Sequence, residues 1–300
     1  MGRQSRGKKE PRTKAARVFT SAPIGLVTPE QAVARFGHLI DAPMRGNRDA
    51  LDGLLRFGEG TALVDLLLPL MWAGVSEGGP SNICVDACMV LKHAYAQFGI
   101  RSEVRVVDLV VNQPGGRRWE FGSPTPSWSG EAGNVFNGHA VLALPDSARY
   151  VDPTVEQFEV VRRLNMGPLI GKAVGGTVSP TAGEDLFAPG LMFAAKRENL
   201  TLIYTIAEEH YSLELEERLE QYVTDGHRRA GANNAALALM MLRIPEVIER
   251  ARKVPYPRLQ ALLDAVGDAP ERNIDGDLHF MMPGPDGSTA PVTLDRIELG

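Results

Sequence analysis

The residues best suited to covalent chemistry are a cysteine, a histidine and an aspartate that follow one another through the middle of the chain. Cys84 begins a segment with helical periodicity, His139 begins an aliphatic run, and Asp152 ends a second such run. A thiol can attack a carbonyl carbon, an imidazole can take the thiol proton, and a carboxylate can fix the imidazole tautomer. The three residues are therefore a candidate nucleophile, base and orienting group.

The segment 81–100 predicts the helix that presents this cysteine. Ser81 and Asn82 are favourable N-cap residues, and Gly99 is typical of a helix end. A thiol in the first helical turn lies near free N–H groups and the positive end of the helix dipole, which favour the thiolate and can also hold an oxyanion. The apolar positions at helical spacing are Cys84, Ala87, Cys88, Leu91, Tyr95 and Phe98.

A purely structural role is the alternative for each thiol, because free cysteines are among the most buried residues. We expect this role for Cys88, which lies one turn after Cys84 and lacks the free N–H groups of the first turn. Two cysteines on one helix, with no second pair elsewhere, do not predict a zinc site. We therefore expect no metal.

A short hairpin is predicted to bring the histidine and the aspartate together. His139 opens one strand, the turn 145–147 follows, and the next strand ends at Asp152. Neighbouring antiparallel strands would place the two side chains side by side. In the alternative, Asp152 only begins the turn that Pro153 continues, because Asp-Pro pairs often mark turns.

These motifs resemble the transglutaminase-like branch of the papain-like cysteine enzymes. The resemblance covers roughly 80–158, about a quarter of the chain. The family often has glycine before its cysteine and an aromatic residue two positions after its histidine, where this chain has Ile83 and Val141. The matching segments are Cys84-x-Asp86, Phe98-Gly99-Ile100-Arg101, Gly138-His139-Ala140-Val141 and Val151-Asp152-Pro153-Thr154.

The resemblance implies acyl chemistry on an amide or ester through a triad of Cys84, His139 and Asp152, as in a peptidase, amidase, deamidase or transamidase. It implies a peptide or protein substrate and no cofactor. One alternative is an arylamine N-acetyltransferase-like enzyme that uses acetyl-CoA. Another is a protein-binding module that keeps the fold without turnover. Asn82 is a candidate oxyanion donor, although an N-cap role explains it equally well.

The expected fold is α+β, with a papain-like core in which the central helix packs on an antiparallel sheet, followed by C-terminal helices. We expect a basic disordered tail at 1–20, the catalytic core at 21–210, and a helical appendage with a terminal hairpin at 211–300. Residues 112–137 are rich in Gly, Pro, Ser and Asn and predict a long loop. In this loop Trp119 and Trp128 are candidates to line a substrate cleft, or to pin the loop to the core.

Charge and composition limit the partners and the cellular location that the sequence predicts. The chain has a formal net charge of −5, but the tail 1–17 carries seven basic residues against Glu10 alone, a charge of +6, which leaves −11 for the rest. We expect this tail to be a solvated terminus; nucleic-acid binding is the alternative, and it is considered only for this tail. We see no signal peptide and no apolar run long enough to span a membrane. With only two cysteines, a disulfide framework is not expected, and the predicted location is the cytoplasm.

Overall fold

The computed structural model describes residues 51–56, 59–75, 83–123, 125–129, 135–173, 186–222, 225–267, 270–273, 275–284 and 287–298. The predicted basic tail at 1–20 and the cap residues Ser81 and Asn82 lie outside these ranges. Within them, helices combine with antiparallel sheets, which confirms the α+β class.

The described part of the chain contains seven α-helices, and residues 51–56 are also helical. The predicted central helix is the second, and Gly99 ends it with a left-handed φ of 72°, a conformation that favours glycine. The helices are α1 (Gly60–Val75), α2 (Cys84–Gln97), α3 (Glu159–Arg162), α4 (Glu209–Tyr222), α5 (Asp225–Leu242), α6 (Pro245–Ala251) and α7 (Pro257–Ala265).

The strands form one large antiparallel sheet and two small ones. The large sheet has the order β7-β6-β5-β1-β9-β8, and β2 also pairs with β1; β3 pairs with β4, and β10, β11 and β12 form the third sheet. The strands are β1 (Glu103–Gln113), β2 (Arg117–Gly122), β3 (Ser127–Ser129), β4 (Val135–Asn137), β5 (His139–Leu144), β6 (Arg149–Asp152), β7 (Leu169–Lys172), β8 (Met192–Arg197), β9 (Leu200–Ile206), β10 (Glu271–Arg272), β11 (Leu278–Pro283) and β12 (Thr289–Thr293).

The long strand β1 organises the large sheet. Its first half, 103–107, pairs with β5, its second half, 108–113, pairs with β2, and β9 pairs with 107–112. Strands β5 and β2 therefore meet on the same edge of β1, and His139 lies at this junction. Gly122 ends β2 here with φ 86°, and a Cβ at this position would lie 3.3 Å from Cβ of His139. The close approach requires glycine.

Alternating residues divide the core between the two faces of the sheet. One face meets α2, through residues such as Val104, Leu142 and Val151. The opposite face carries an aromatic cluster that includes Tyr150 and Tyr204. Helices α5 and α7 contribute to the first cluster, so the C-terminal helices share a core with the helix of Cys84.

A buried polar cluster ties four segments to one another. Asp65 on α1 accepts hydrogen bonds from Tyr256 Oη (2.9 Å) and Arg149 Nη1 (3.2 Å), while Tyr95 donates to the backbone carbonyl of Asp65. Burial raises the pKa of Asp65, although Ser147, Tyr256 and Arg149 oppose this shift. Buried charges require such partners, since an unpaired one would strongly destabilise the fold.

Two loop and strand predictions are wrong. The segment 112–137, predicted as a loop, contains β2, β3 and β4, with the turn Gly115-Gly116 at positive φ joining β1 to β2. Phe158, Val160 and Val161 have high β-propensity and predict a strand over 157–161, but this segment lies in a 3₁₀ turn followed by α3. In the described ranges, no helix has both the length and the apolar character needed to cross a membrane.

Candidate active site

Cys84 is the first residue of α2, and its side chain is almost buried. Ile83 occupies the N-cap position, and the first helical hydrogen bond runs from Ala87 N to Ile83 O. The amides of residues 84–86 therefore have no intrahelical acceptor. Asp86 lies in the first turn, where a negative charge is favoured by the helix dipole. Cys84 thus lies in the first turn, which holds the free amides, at the positive end of a 14-residue helix.

The predicted hairpin forms and brings His139 and Asp152 into contact. Leu142 pairs with Val151, so Asp152 lies opposite Val141, diagonal to His139 and on the same face. His139 Nε2 is 2.7 Å from Asp152 Oδ2, and both side chains are fully buried. An ionised carboxylate only accepts hydrogen bonds, so Nε2 carries a proton and Nδ1 remains available to the thiol.

Asp152 is held by two further donors. Tyr204 Oη donates to Oδ2 at 2.9 Å, and the backbone N–H of Thr154 donates to Oδ1 at 3.1 Å. The carboxylate thus occupies both roles that the sequence left open, since Oδ1 shapes the turn while Oδ2 faces the imidazole.

The charges around His139 favour its protonated form. Burial alone lowers the pKa of the imidazole, but the charge and hydrogen bond of Asp152, with a hydrogen bond and charge from Cys84, raise the pKa of His139 to about 10. The thiol and the carboxylate therefore act on the same ring. An imidazolium between a thiolate and a carboxylate is the arrangement that a nucleophilic cysteine requires.

Cys88 differs from Cys84 in its surroundings. Its thiol is fully buried and lies 3.6 Å from the carbonyl oxygen of Ala140 on β5. Burial, followed by the charges of Cys84 and Asp152, raises the pKa of Cys88 well above its ordinary value. A thiol that stays protonated is a poor nucleophile, so Cys88 has the properties of a core residue.

The other predicted site residues are Asn82, Trp119 and Trp128. Asn82 is outside the described residues. Trp119, on β2, packs against the aromatic face of the sheet. Trp128, on β3, packs against Phe136 with ring centroids 5.1 Å apart, and the Arg218 guanidinium lies 5.0 Å from its ring centroid. Both tryptophans therefore pin their strands to the body of the fold.

Three neighbours of the histidine and aspartate were not identified from the sequence. Gln157 Nε2 lies 3.0 Å from His139 Nδ1, and the Phe158 ring meets the imidazole edge-on, with centroids 5.1 Å apart. Phe158 in turn stacks on Phe121 of β2. The third neighbour, Tyr204, lies on β9, two strands beyond β5.

Replacing Tyr204 with phenylalanine is expected to lower the free energy of unfolding by about 1.5–3 kcal/mol, because the buried carboxylate of Asp152 loses a donor. Urea unfolding at neutral pH measures this change. Tyr150→Phe is the matched control: Tyr150 lies beside Tyr204, and its buried hydroxyl has no hydrogen-bond partner among the described residues. Its removal should cost little or stabilise the fold. Equal losses in the two variants would show that the Tyr204–Asp152 hydrogen bond adds nothing.

The described residues contain no group of three or more His, Cys, Asp or Glu side chains placed to hold a metal ion. No family model matches the sequence, and comparisons with curated proteins and with solved structures give no match either.

Proposed function

We propose that the protein is a cysteine-dependent enzyme that acts on an amide or ester carbonyl. The observation that carries the proposal is the buried 2.7 Å contact between His139 Nε2 and Asp152 Oδ2, on a ring whose pKa is also raised by a hydrogen bond and charge from Cys84. A thiol at a helix N-terminus, a base and an orienting carboxylate together form the set that nucleophilic acyl chemistry requires.

In the proposed reaction Cys84 loses its proton to His139 Nδ1, and Sγ forms a bond to the carbonyl carbon. The bond from that carbon to the leaving nitrogen or oxygen then breaks, and the leaving group takes the proton from His139. A water molecule or an amine then attacks the carbonyl carbon of the thioester and gives a proton to His139. The bond from that carbon to Sγ breaks, and His139 returns the proton to Sγ, which restores the thiol. Free amides at the start of α2 are suited to hold the oxyanion of each tetrahedral intermediate.

The proposal extends to the fold and the setting of the enzyme. A helix that begins at the cysteine and packs on an antiparallel sheet that carries the histidine and the acid is the arrangement expected of a papain-like, transglutaminase-like core. We propose a peptide or protein substrate on the same resemblance. Both cysteines are free thiols, which suits the reducing conditions of the cytoplasm.

Alkylation of the thiol tests the proposal before any substrate is known. Cys84 is expected to react with iodoacetamide near neutral pH faster than a free cysteine derivative does. It should also prefer the anionic reagent iodoacetate while His139 is protonated, because the imidazolium attracts the carboxylate. This preference should be lost as the pH rises through about 10, where His139 loses its proton.

A labelling rate no higher than that of free cysteine would overturn the proposal. Incubation with p-nitrophenyl acetate, followed by peptide mass spectrometry, then tests whether an acyl group forms on Cys84. A parallel incubation with acetyl-CoA separates the possibilities further. An acetyl group transferred readily from acetyl-CoA to Cys84 would favour the N-acetyltransferase-like alternative.

A further inference from the structure

Gln157 lies against the reacting nitrogen of the proposed base. It ends the 3₁₀ turn that follows Asp152, and its Nε2 is 3.0 Å from His139 Nδ1 and 3.5 Å from Thr154 Oγ1. Asp152 accepts a hydrogen bond from the N–H at the other ring nitrogen. Nδ1 is therefore the only nitrogen through which His139 can take a proton from Cys84.

The chemistry of this contact depends on the state of the ring. A carboxamide N–H donates to Nδ1 only while that nitrogen has its lone pair, that is, while His139 is neutral. Once Nδ1 takes the thiol proton, Nδ1 and Nε2 are both donors, and the carboxamide can keep the contact only by turning Oε1 toward the ring, which gives up the contact of Nε2 with Thr154 Oγ1. Gln157 and the Cys84 thiol thus compete for one lone pair. A donor to the neutral form favours that form over the charged one.

We propose that Gln157 caps the Nδ1 lone pair of neutral His139 and so lowers the pH at which His139 gives up its proton, until substrate displaces the carboxamide. This inference rests on the proposed function, because it gives that site a residue that opposes protonation of the proposed base. The Gln157 carboxamide acts against Asp152 and the Cys84 thiolate, which favour the imidazolium.

The groups facing the ring are few, which makes its titration interpretable. Cys84 approaches from α2 and Asp152 from β6, and these are the two charged neighbours acting on His139 among the described residues. Gln157 and Phe158 approach from the turn after β6 and carry no charge. Tyr204 from β9 and Cys88 from α2 lie beyond them, around Asp152, and remain protonated because burial raises the pKa of both.

The direct test is NMR titration of the His139 side-chain nitrogens in a Cys84→Ala background, where no thiolate shares the proton. Adding Gln157→Met removes the donor but keeps a similar volume. We expect the titration midpoint of His139 to rise by about half to one pH unit, because the net strength of one hydrogen bond corresponds to that range. Gln113→Met, the same replacement at the end of β1, should leave the midpoint where it was.

The second arm keeps Cys84. Removing the carboxamide should raise the pH at which the preference for iodoacetate over iodoacetamide is lost by the same half to one unit, because neutral His139 has lost a donor. If the methionine variant does not fold, Gln157→Asn removes the contact by shortening the side chain, and the same two results are expected.

The outcomes separate this inference from the proposed function. A midpoint that stays or falls, or a preference for iodoacetate that is lost at the same pH as in the parent, overturns the cap and leaves the cysteine chemistry standing. A raised midpoint in a protein whose Cys84 never labels faster than free cysteine supports the contact and overturns the enzyme.

Discussion

Cys84→Ala is expected to abolish labelling by iodoacetamide under native conditions and all turnover of p-nitrophenyl acetate, while the protein still folds. The thiol is the proposed nucleophile, and no other group in the site can form the thioester. The side chain lies at the start of α2, where alanine is compatible with the helix. Circular dichroism and urea unfolding check the fold, and intact-protein mass spectrometry counts the labels.

Cys88→Ala is the matched control one turn further along α2. It should keep the labelling rate of Cys84 but lower the free energy of unfolding by about 1 kcal/mol, because it removes a fully buried thiol packed against β5. The reverse pattern, with labelling lost only in Cys88→Ala, would move the nucleophile one turn down the helix and refute the assignment of Cys84.

Asp152→Asn is expected to reduce turnover of p-nitrophenyl acetate by up to about 10⁴-fold, the loss seen when the same change is made in a serine triad. The asparagine oxygen can still accept from Thr154 N, so the turn should survive. The asparagine N–H₂ would then face His139 Nε2 and draw the ring into the tautomer that carries its proton on Nδ1. That tautomer cannot accept the thiol proton.

Steady-state rates of the folded variant measure this effect, with Asp146→Asn as the control. Asp146 is exposed in the turn of the same hairpin and should tolerate the change with normal turnover. A preformed thiolate would make the loss in Asp152→Asn smaller than in a serine enzyme. A rate within a few-fold of the parent would remove Asp152 from the site and leave a Cys84–His139 dyad.

The hairpin and the central helix were predictable because their signals are local. The aliphatic run after His139, a short turn and a second run that ends at Asp152 specify an antiparallel pair within 14 residues. The spacing of apolar residues after Cys84 specifies a helix in the same way. The three proposed reacting residues could therefore be named from sequence, each at the end of one of these elements.

The residues that surround the site were harder to predict from the sequence, because their contacts depend on tertiary structure. Tyr204 reaches Asp152 across 52 residues, and only the strand order β6-β5-β1-β9 reveals their proximity. Gln157 was assigned to a strand, since Phe158, Val160 and Val161 have high β-propensity. The hydrogen bond from Thr154 N to Asp152 Oδ1 instead turns the chain back toward His139. An aspartate two residues before a threonine was the available signal for this turn.

During synthesis, the buried cluster around Asp65 can be completed only after Tyr256 has been made. Three of its members, Asp65, Tyr95 and Arg149, are made early, whereas Tyr256 follows Asp65 by 191 residues. The nascent chain thus contains Cys84, His139 and Asp152 before Tyr256 can donate to the Asp65 carboxylate. At that stage α2 also lacks its packing against α5. The contacts that fix α2 are therefore complete only after α5 and Tyr256 have left the ribosome.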